Sequence, residues 1–267
     1  MASKALPVGA SYNVIDFPAN VDWILESDRD LELYSYAGFL DDSSLRDSFK
    51  DVPRLLNGYT GRFGLHGPMT NFAVHNKEIR AAVIKEFTEM LHICGEVGAT
   101  HMVLHSPYLS LGAPFPEPIA SLMTTNPARS VLEEIIPIAE SVNCVIMLEN
   151  IMDTRPDMHI NLVRAINSPW LKVSVDTGHA FVMHRWGEAP TPDYWIRQAG
   201  PLLGHVHLQD TDGYTDRHWA PGDGAVPWIA VFEALSALEE QPRMVLEISA
   251  DKLERGFNYL AERDLVK

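Results

Sequence analysis

The sequence predicts an α/β fold, a (β/α)8 barrel, on two observations. Short β-branched and apolar runs alternate with stretches of helical periodicity along the 267 residues. Eight such runs recur at a spacing of about 33 residues, a normal length for one strand and its helix. An open doubly wound sheet would share the alternation. It would usually carry a glycine-rich phosphate loop after its first strand, and GASYN at 9–13 is not one. One barrel domain over residues 1–267 is therefore expected.

In chain order, Pro7–Tyr12 is the first strand and Val21–Glu26 its helix. Leu31–Tyr36 precedes a helix over Ser43–Leu56, and Arg62–His66 precedes Asn76–Val97. His101–His105 pairs with Ala128–Val142, and Val145–Glu149 with Asn161–Ile166. Lys172–Asp176 leads to Pro192–Ala199, Gly204–Leu208 to Trp228–Glu239, and Met244–Ile248 to Lys252–Ala261. The helix over Asn76–Val97 is the clearest. Ile79, Val83, Phe87, Met90, Cys94 and Val97 step by three or four into one stripe, and Gly98 ends it. Two long connections, Ser106–Asn126 with Tyr108 and Phe115 and Met183–Tyr194 with Arg185 and Trp186, are candidate lids.

Composition excludes several classes. With 46% apolar and 21% charged residues the chain is neither disordered nor depleted of core. No apolar run reaches the ~18 residues of a membrane helix. The start MASKALPVG lacks the apolar stretch of a signal peptide, so a cytoplasmic protein is expected. Cys94 and Cys144 sit in apolar surroundings and are read as buried thiols. The formal net charge of −15 disfavours a nucleic-acid or anionic-membrane partner, since phosphate binding needs clustered Lys and Arg.

In a barrel, chemistry sits at the C-terminal ends of the strands. Six consecutive strands end in a metal-capable side chain: His66, His105, Glu149, Asp176, His207 and Glu247. His179 lies one helical step past Asp176, and the loop after the seventh strand adds Asp216 and His218. Any one of these is as readily a core polar group or a solvated strand end. Together they are hard to explain that way, because crowded carboxylates repel and raise one another's pKa. A dication removes that penalty. Mixed His and carboxylate donors suit Mn2+, Zn2+, Co2+ or Fe2+ better than Ca2+. His205 and His207 share one face of their strand, and His205 is expected one layer deeper. No role is assigned to His75, His92, His101, His159 or His184.

The motifs LEN at 148–150, DTGH at 176–179, HVHLQD at 205–210 and LEIS at 246–249 resemble the xylose isomerase-like barrel superfamily over residues 7–262. That group includes ketose 3-epimerases, sugar isomerases, inosose dehydratases and endonuclease IV. The resemblance to the epimerases implies one divalent metal held by Glu149, Asp176, His207 and Glu247, with His179 on substrate oxygens. It also implies proton transfer by Glu149 and Glu247 on opposite faces of a sugar or keto-sugar, through an enediolate whose charge the metal stabilises. The resemblance to endonuclease IV implies instead a three-zinc cluster on His66, His105, Glu149, Asp176, His179, His207, Asp216, His218 and Glu247. The segment NIMDTRPD at 150–157 departs from that nuclease. The epimerases' arginine after the strand-seven histidine is also missing here, leaving Arg217 further along as a substrate contact. Trp219 could stack on a sugar ring or serve packing alone.

The expected function is a divalent-metal-dependent sugar or keto-sugar isomerase or epimerase. The alternatives are a related keto-polyol dehydratase or lyase and a zinc phosphodiesterase acting at abasic sites. The expected partner is a small sugar or polyol, with homo-oligomers common among related barrels.

Overall fold

The computed structural model describes residues 6–27, 29–36, 42–109 and 118–267. Eight parallel strands close in sequence order into a barrel. They are β1 (Gly9–Asn13), β2 (Leu31–Tyr34), β3 (Phe63–His66), β4 (His101–His105), β5 (Val145–Glu149), β6 (Leu171–Asp176), β7 (Leu203–Leu208) and β8 (Arg243–Leu246). Pairing of Gly9 with Val245 and Ala10 with Leu246 completes the ring. Helices cover the outside, so both strand faces are dry and the strands read as nearly continuous apolar runs.

The helices are α1 (Val21–Leu25), α2 (Asp42–Phe49), α3 (Val52–Leu55), α4 (Lys77–Val97), α5 (Asn126–Ser141), α6 (Asp157–Ile166), α7 (Thr177–Gly187), α8 (Pro192–Ala199), α9 (Trp228–Ser236) and α10 (Leu253–Ala261). Asn76 caps α4 by accepting the N–H groups of Glu78 and Ile79, and Gly98 closes it with φ 79°. The buried stripe of α4 begins at Val83. Ile79, in the first turn, is 56% exposed, contrary to its expected place in the stripe.

Several expected boundaries change. The helix expected over Ser43–Leu56 is two, because Pro53 lies at the start of α3 and cannot continue the hydrogen-bond ladder of α2. Met183–Tyr194 is not a long lid: α7 runs through Gly187 and α8 begins at Pro192. The last strand stops at Leu246, so Glu247 is the first residue beyond it. In the other expected lid, Tyr108 is buried and its hydroxyl lies 3.0 Å from Thr125 Oγ1, while Phe115 lies outside the described residues.

The N-terminal end of the barrel carries a two-pronged ion pair. Arg62 donates Nε to Asp30 Oδ1 at 2.7 Å and Nη2 to Asp30 Oδ2 at 2.6 Å. Asp30 Oδ2 also accepts the Met244 N–H, so one carboxylate ties the starts of β2, β3 and β8. Chemistry-bearing residues gather at the opposite end. Cys94 and Cys144 are free and buried, as expected.

Candidate metal centre

Local hydrogen bonding sets the strand ends. Asn150, just past β5, donates Nδ2 to the Asp176 carbonyl at 3.2 Å and accepts the Asp176 N–H at 2.9 Å. That clips β5 to β6 and gives the Asn of the LEN motif its role. Asp176 ends β6 and caps α7, its Oδ1 accepting the His179 N–H at 2.5 Å. Asp-Thr-Gly-His is therefore a strand end, a cap and the first helical turn. His207 stands beside Asp176 in register. The Glu247 N–H donates to the Leu208 carbonyl at 3.2 Å, holding β8's end against β7.

The expected residues converge at this mouth. Glu149, Asp176, His207 and Glu247 each offer one donor atom within 4.8 Å of the others. Two further groups adjoin them: His66 and His105 with the same Glu149, and His179 with Asp216 and His218. His207 Nδ1 is 2.8 Å from Glu149 Oε1 and 3.4 Å from Glu247 Oε2. His179 Nε2 and His218 Nε2 lie 3.3 and 3.0 Å from Asp216 Oδ2. Glu149 Oε2 and Asp176 Oδ2 are buried without a hydrogen-bond partner. Orphaned carboxylate oxygens facing imidazole nitrogens are what a divalent cation would satisfy, so the donor set fits one.

The imidazoles are held by their far nitrogens. His66, His179 and His218 place Nδ1 at 2.9, 3.0 and 2.9 Å from the carbonyls of Gly67, Asn150 and Glu247. A carbonyl can only accept, so each Nδ1 carries the hydrogen and each Nε2 faces the mouth bare when the ring is neutral. His207 is reversed: its Nδ1 faces the carboxylates and its Nε2 lies 2.9 Å from Glu32 Oε1.

The loop after β7 hangs on two side chains to which the sequence reading gave no role. Gln209 donates Nε2 to Asp216 Oδ1 at 2.6 Å and accepts the His218 N–H at 3.0 Å. Asp210 is buried and accepts four N–H groups, from Thr211, Gly222, Val226 and the Trp228 indole. Arg217 stands outside the ligand groups, held by Asp212 at 2.9 Å with its guanidinium 5.4 Å from the Trp219 ring. Its nearest charged partner is therefore Asp212, on the same loop. Trp219 is half-buried and pairs its backbone with Asp210.

Charge crowding perturbs these groups strongly. Burial pushes the Asp176 carboxyl up to about 7, with His179 opposing and the charges of Glu149 and Glu247 adding to the rise. Burial would also raise Glu149, but His207, His179 and His105 outweigh it and hold that carboxyl well below its usual range. Burial works against the charged form of His207, yet Glu247, Glu32 and Glu149 raise it well above the ordinary histidine value. His218, opposed by burial and held by Asp216, rises to about 9. His105 falls to about 3, chiefly through burial.

The family model of the xylose isomerase-like TIM barrel matches residues 34–267. The chain belongs to that family. An uncharacterized protein of Methanocaldococcus jannaschii is 26% identical over 203 residues, 72% of this chain and 66% of its own length, just under two thirds. The solved structure of a D-tagatose 3-epimerase-like protein superposes on this xylose isomerase-like barrel with TM-score 0.77 and 21% identity, covering 97% of each chain. A Thermus thermophilus protein soaked with ZnCl2 superposes with TM-score 0.75 and 23% identity, covering 97% of this chain and 98% of its own. Among the described residues of this family member, no helix is long and apolar enough to cross a membrane.

The residues left unassigned in the sequence divide. His184 places Nδ1 2.6 Å from the Ala189 carbonyl, and His159 stacks on Trp195, so both serve packing. His101 lies deep in the barrel beside Glu32 and His205, the residue expected one layer below His207. Glu32 carried one readable signal, an acid between Leu31 and Leu33 in a strand, where the flanking leucines mark a buried segment.

Proposed function

We propose that this protein is a divalent-metal-dependent isomerase or epimerase acting on a small sugar or keto-sugar. The observation that carries the reading is the convergence of Glu149, Asp176, His207 and Glu247 at the C-terminal mouth of the barrel. Mn2+, Zn2+, Co2+ or Fe2+ held by these four would supply positive charge next to a substrate oxygen. Removing a proton from the carbon beside a carbonyl builds negative charge on oxygen, and that charge has to be offset.

The chain's own groups supply the rest. Glu149 is fully buried and kept ionised by the imidazoles around it, which suits a proton acceptor. Glu247 side chain is 16% exposed, so a substrate entering the mouth can reach it. One carboxylate takes the proton and the other returns one from its own side. His179, positioned by the Asn150 carbonyl, would direct Nε2 at substrate oxygens.

A second reading has a specific observation behind it. The flanking groups His66–His105–Glu149 and His179–Asp216–His218 each offer three donors, which suits a three-metal phosphodiesterase. The charge around them weighs against phosphate binding: Arg155 is 3.1 Å from Asp157 and Arg217 is 2.9 Å from Asp212.

Dialysis against a chelator should abolish epimerisation across a panel of keto-sugars, and one divalent metal per chain should restore it. Glu149→Gln and Glu247→Gln should each lower turnover by about 100-fold or more in a folded barrel. Metal-independent turnover would remove the reading. Three metals per chain with nicking of abasic DNA would replace it with the second.

A further inference from the structure

Beneath the mouth, a second polar cluster lies sealed in the barrel. Glu32 on β2, His101 on β4 and His205 on β7 are at most 1% exposed, and one donor atom of each lies within 4.8 Å of the others. Glu32 Oε1 faces His207 Nε2 at 2.9 Å and accepts the Ser11 hydroxyl at 3.3 Å. Its Oε2 faces His205 Nε2 at 3.4 Å. The other His205 nitrogen, Nδ1, is 2.9 Å from the Ser174 hydroxyl. A carboxylate this deep, with no lysine or arginine on it among the described residues, is costly to bury and is weak evidence of added stability. Its geometry shows a different use.

We infer that Glu32 is a positioning residue for the metal centre: it holds the Nε2 hydrogen of His207 and so makes Nδ1 the nitrogen that loses its proton to meet a metal beside Glu149, Asp176 and Glu247. This rests on the metal reading proposed above. The three other imidazoles anchored at the mouth use a backbone carbonyl for the same purpose. His207 alone among these four is anchored on a carboxylate, supplied by β2 at 0% exposure. A carboxylate behind a ligating histidine fixes ring orientation and raises the basicity of the nitrogen facing the metal. Ser11 on the adjoining β1 donates to Glu32, and His205 on β7 sets its Nε2 3.4 Å from the other carboxylate oxygen across the barrel. The Ser174 hydroxyl pairs with His205 Nδ1 on the far side of the ring. The line Ser174–His205–Glu32–His207 thus runs from the barrel interior to the mouth.

The test compares the full-length protein with Glu32→Gln, using Zn2+ and Mn2+ in competition with a chromophoric chelator. An amide oxygen at the Oε1 position can still accept from His207 and Ser11, but its N–H2 then faces His205 Nε2 and the charge behind His207 is gone. The expected result is metal affinity weakened about 10- to 100-fold, with the Tm of the metal-free protein unchanged or raised. Unchanged affinity, or weakened affinity only alongside a lowered metal-free Tm, would overturn the inference. A second measurement needs no variant. In metal-free wild type, at a pH raised until the His207 ring is neutral, 15N spectra assigned with His207→Gln should show that ring hydrogenated on Nε2. Hydrogen on Nδ1 would overturn Glu32's role by itself. If wild type binds neither metal, the reading of the mouth fails instead, and the His207 tautomer still decides whether Glu32 sets the ring.

Discussion

Asp210 offers a stringent test of how the metal-centre loop is held. Its Oδ1 accepts the Thr211 and Val226 N–H groups at 2.9 and 3.0 Å, and its Oδ2 accepts the Gly222 N–H and the Trp228 indole at 2.8 and 2.9 Å. In Asp210→Asn, one oxygen becomes N–H2 and faces two donors whichever way the amide flips. The less costly flip puts N–H2 at the Oδ2 position, where the exposed Gly222 N–H returns to water. The Trp228 indole, 3% exposed, is left unpaired at about 1–3 kcal/mol. Loss of charge assistance on the two remaining bonds brings the total to about 2–4 kcal/mol. For a domain of this size that lowers Tm by roughly 6–12 °C. Thermal melts of the metal-free protein by near-ultraviolet circular dichroism measure it. A fall below about 2 °C for Asp210→Asn would refute the four-donor argument.

Two further perturbations probe the mouth. Metal-free protein should lose stability as pH rises from 7 to 9. His207 and His218 have raised folded values, so their contribution is complete below the unfolded value of about 6.5 and is lost as pH climbs through the folded one. Asp176, raised to about 7, acts in the same direction, and the depressed His105 no longer titrates in either state over this range. Melts at pH 7, 8 and 9 check this, and a flat or rising Tm contradicts it. Over the same range metal should bind more tightly, by about tenfold per pH unit for each proton displaced. Gly178→Ala would place Cβ 2.3 Å from Gln209 Cδ, displacing the side chain that holds Asp216 and the His218 N–H. It should leave a folded barrel with weakened metal binding and turnover; wild-type values for both would show that Gln209 positions nothing.

The alternation of strands and helices was legible because each unit is local: a five-residue apolar run buries itself wherever helices cover both faces of the sheet. The ends of helices were legible where a cap marks them, as at Asn76 and Gly98. Helix α7 was not, because its residues TGHAFVMHRWG mix buried and exposed aromatics and its start is signalled by Asp176, a residue already claimed by the strand before it. Strand-end chemistry was legible for a topological reason. Parallel strands in one barrel all point the same way, so the last inward side chains of β3 to β7, and Glu247 just past β8, are forced to one mouth.

Sequence alone therefore determined the barrel, the family resemblance and the set of ionisable residues at its rim. It did so through periodicity and strand-end position, both of which are properties of neighbouring residues. Tertiary structure decided how those residues are oriented. The far nitrogen of each anchored imidazole, the four donors on Asp210, the bridge through Gln209 and the reach of Glu32 across the barrel to His207 join residues up to 175 positions apart. Such contacts obey no spacing rule, because closure of the sheet, and not the order of the chain, brings their atoms within hydrogen-bonding distance.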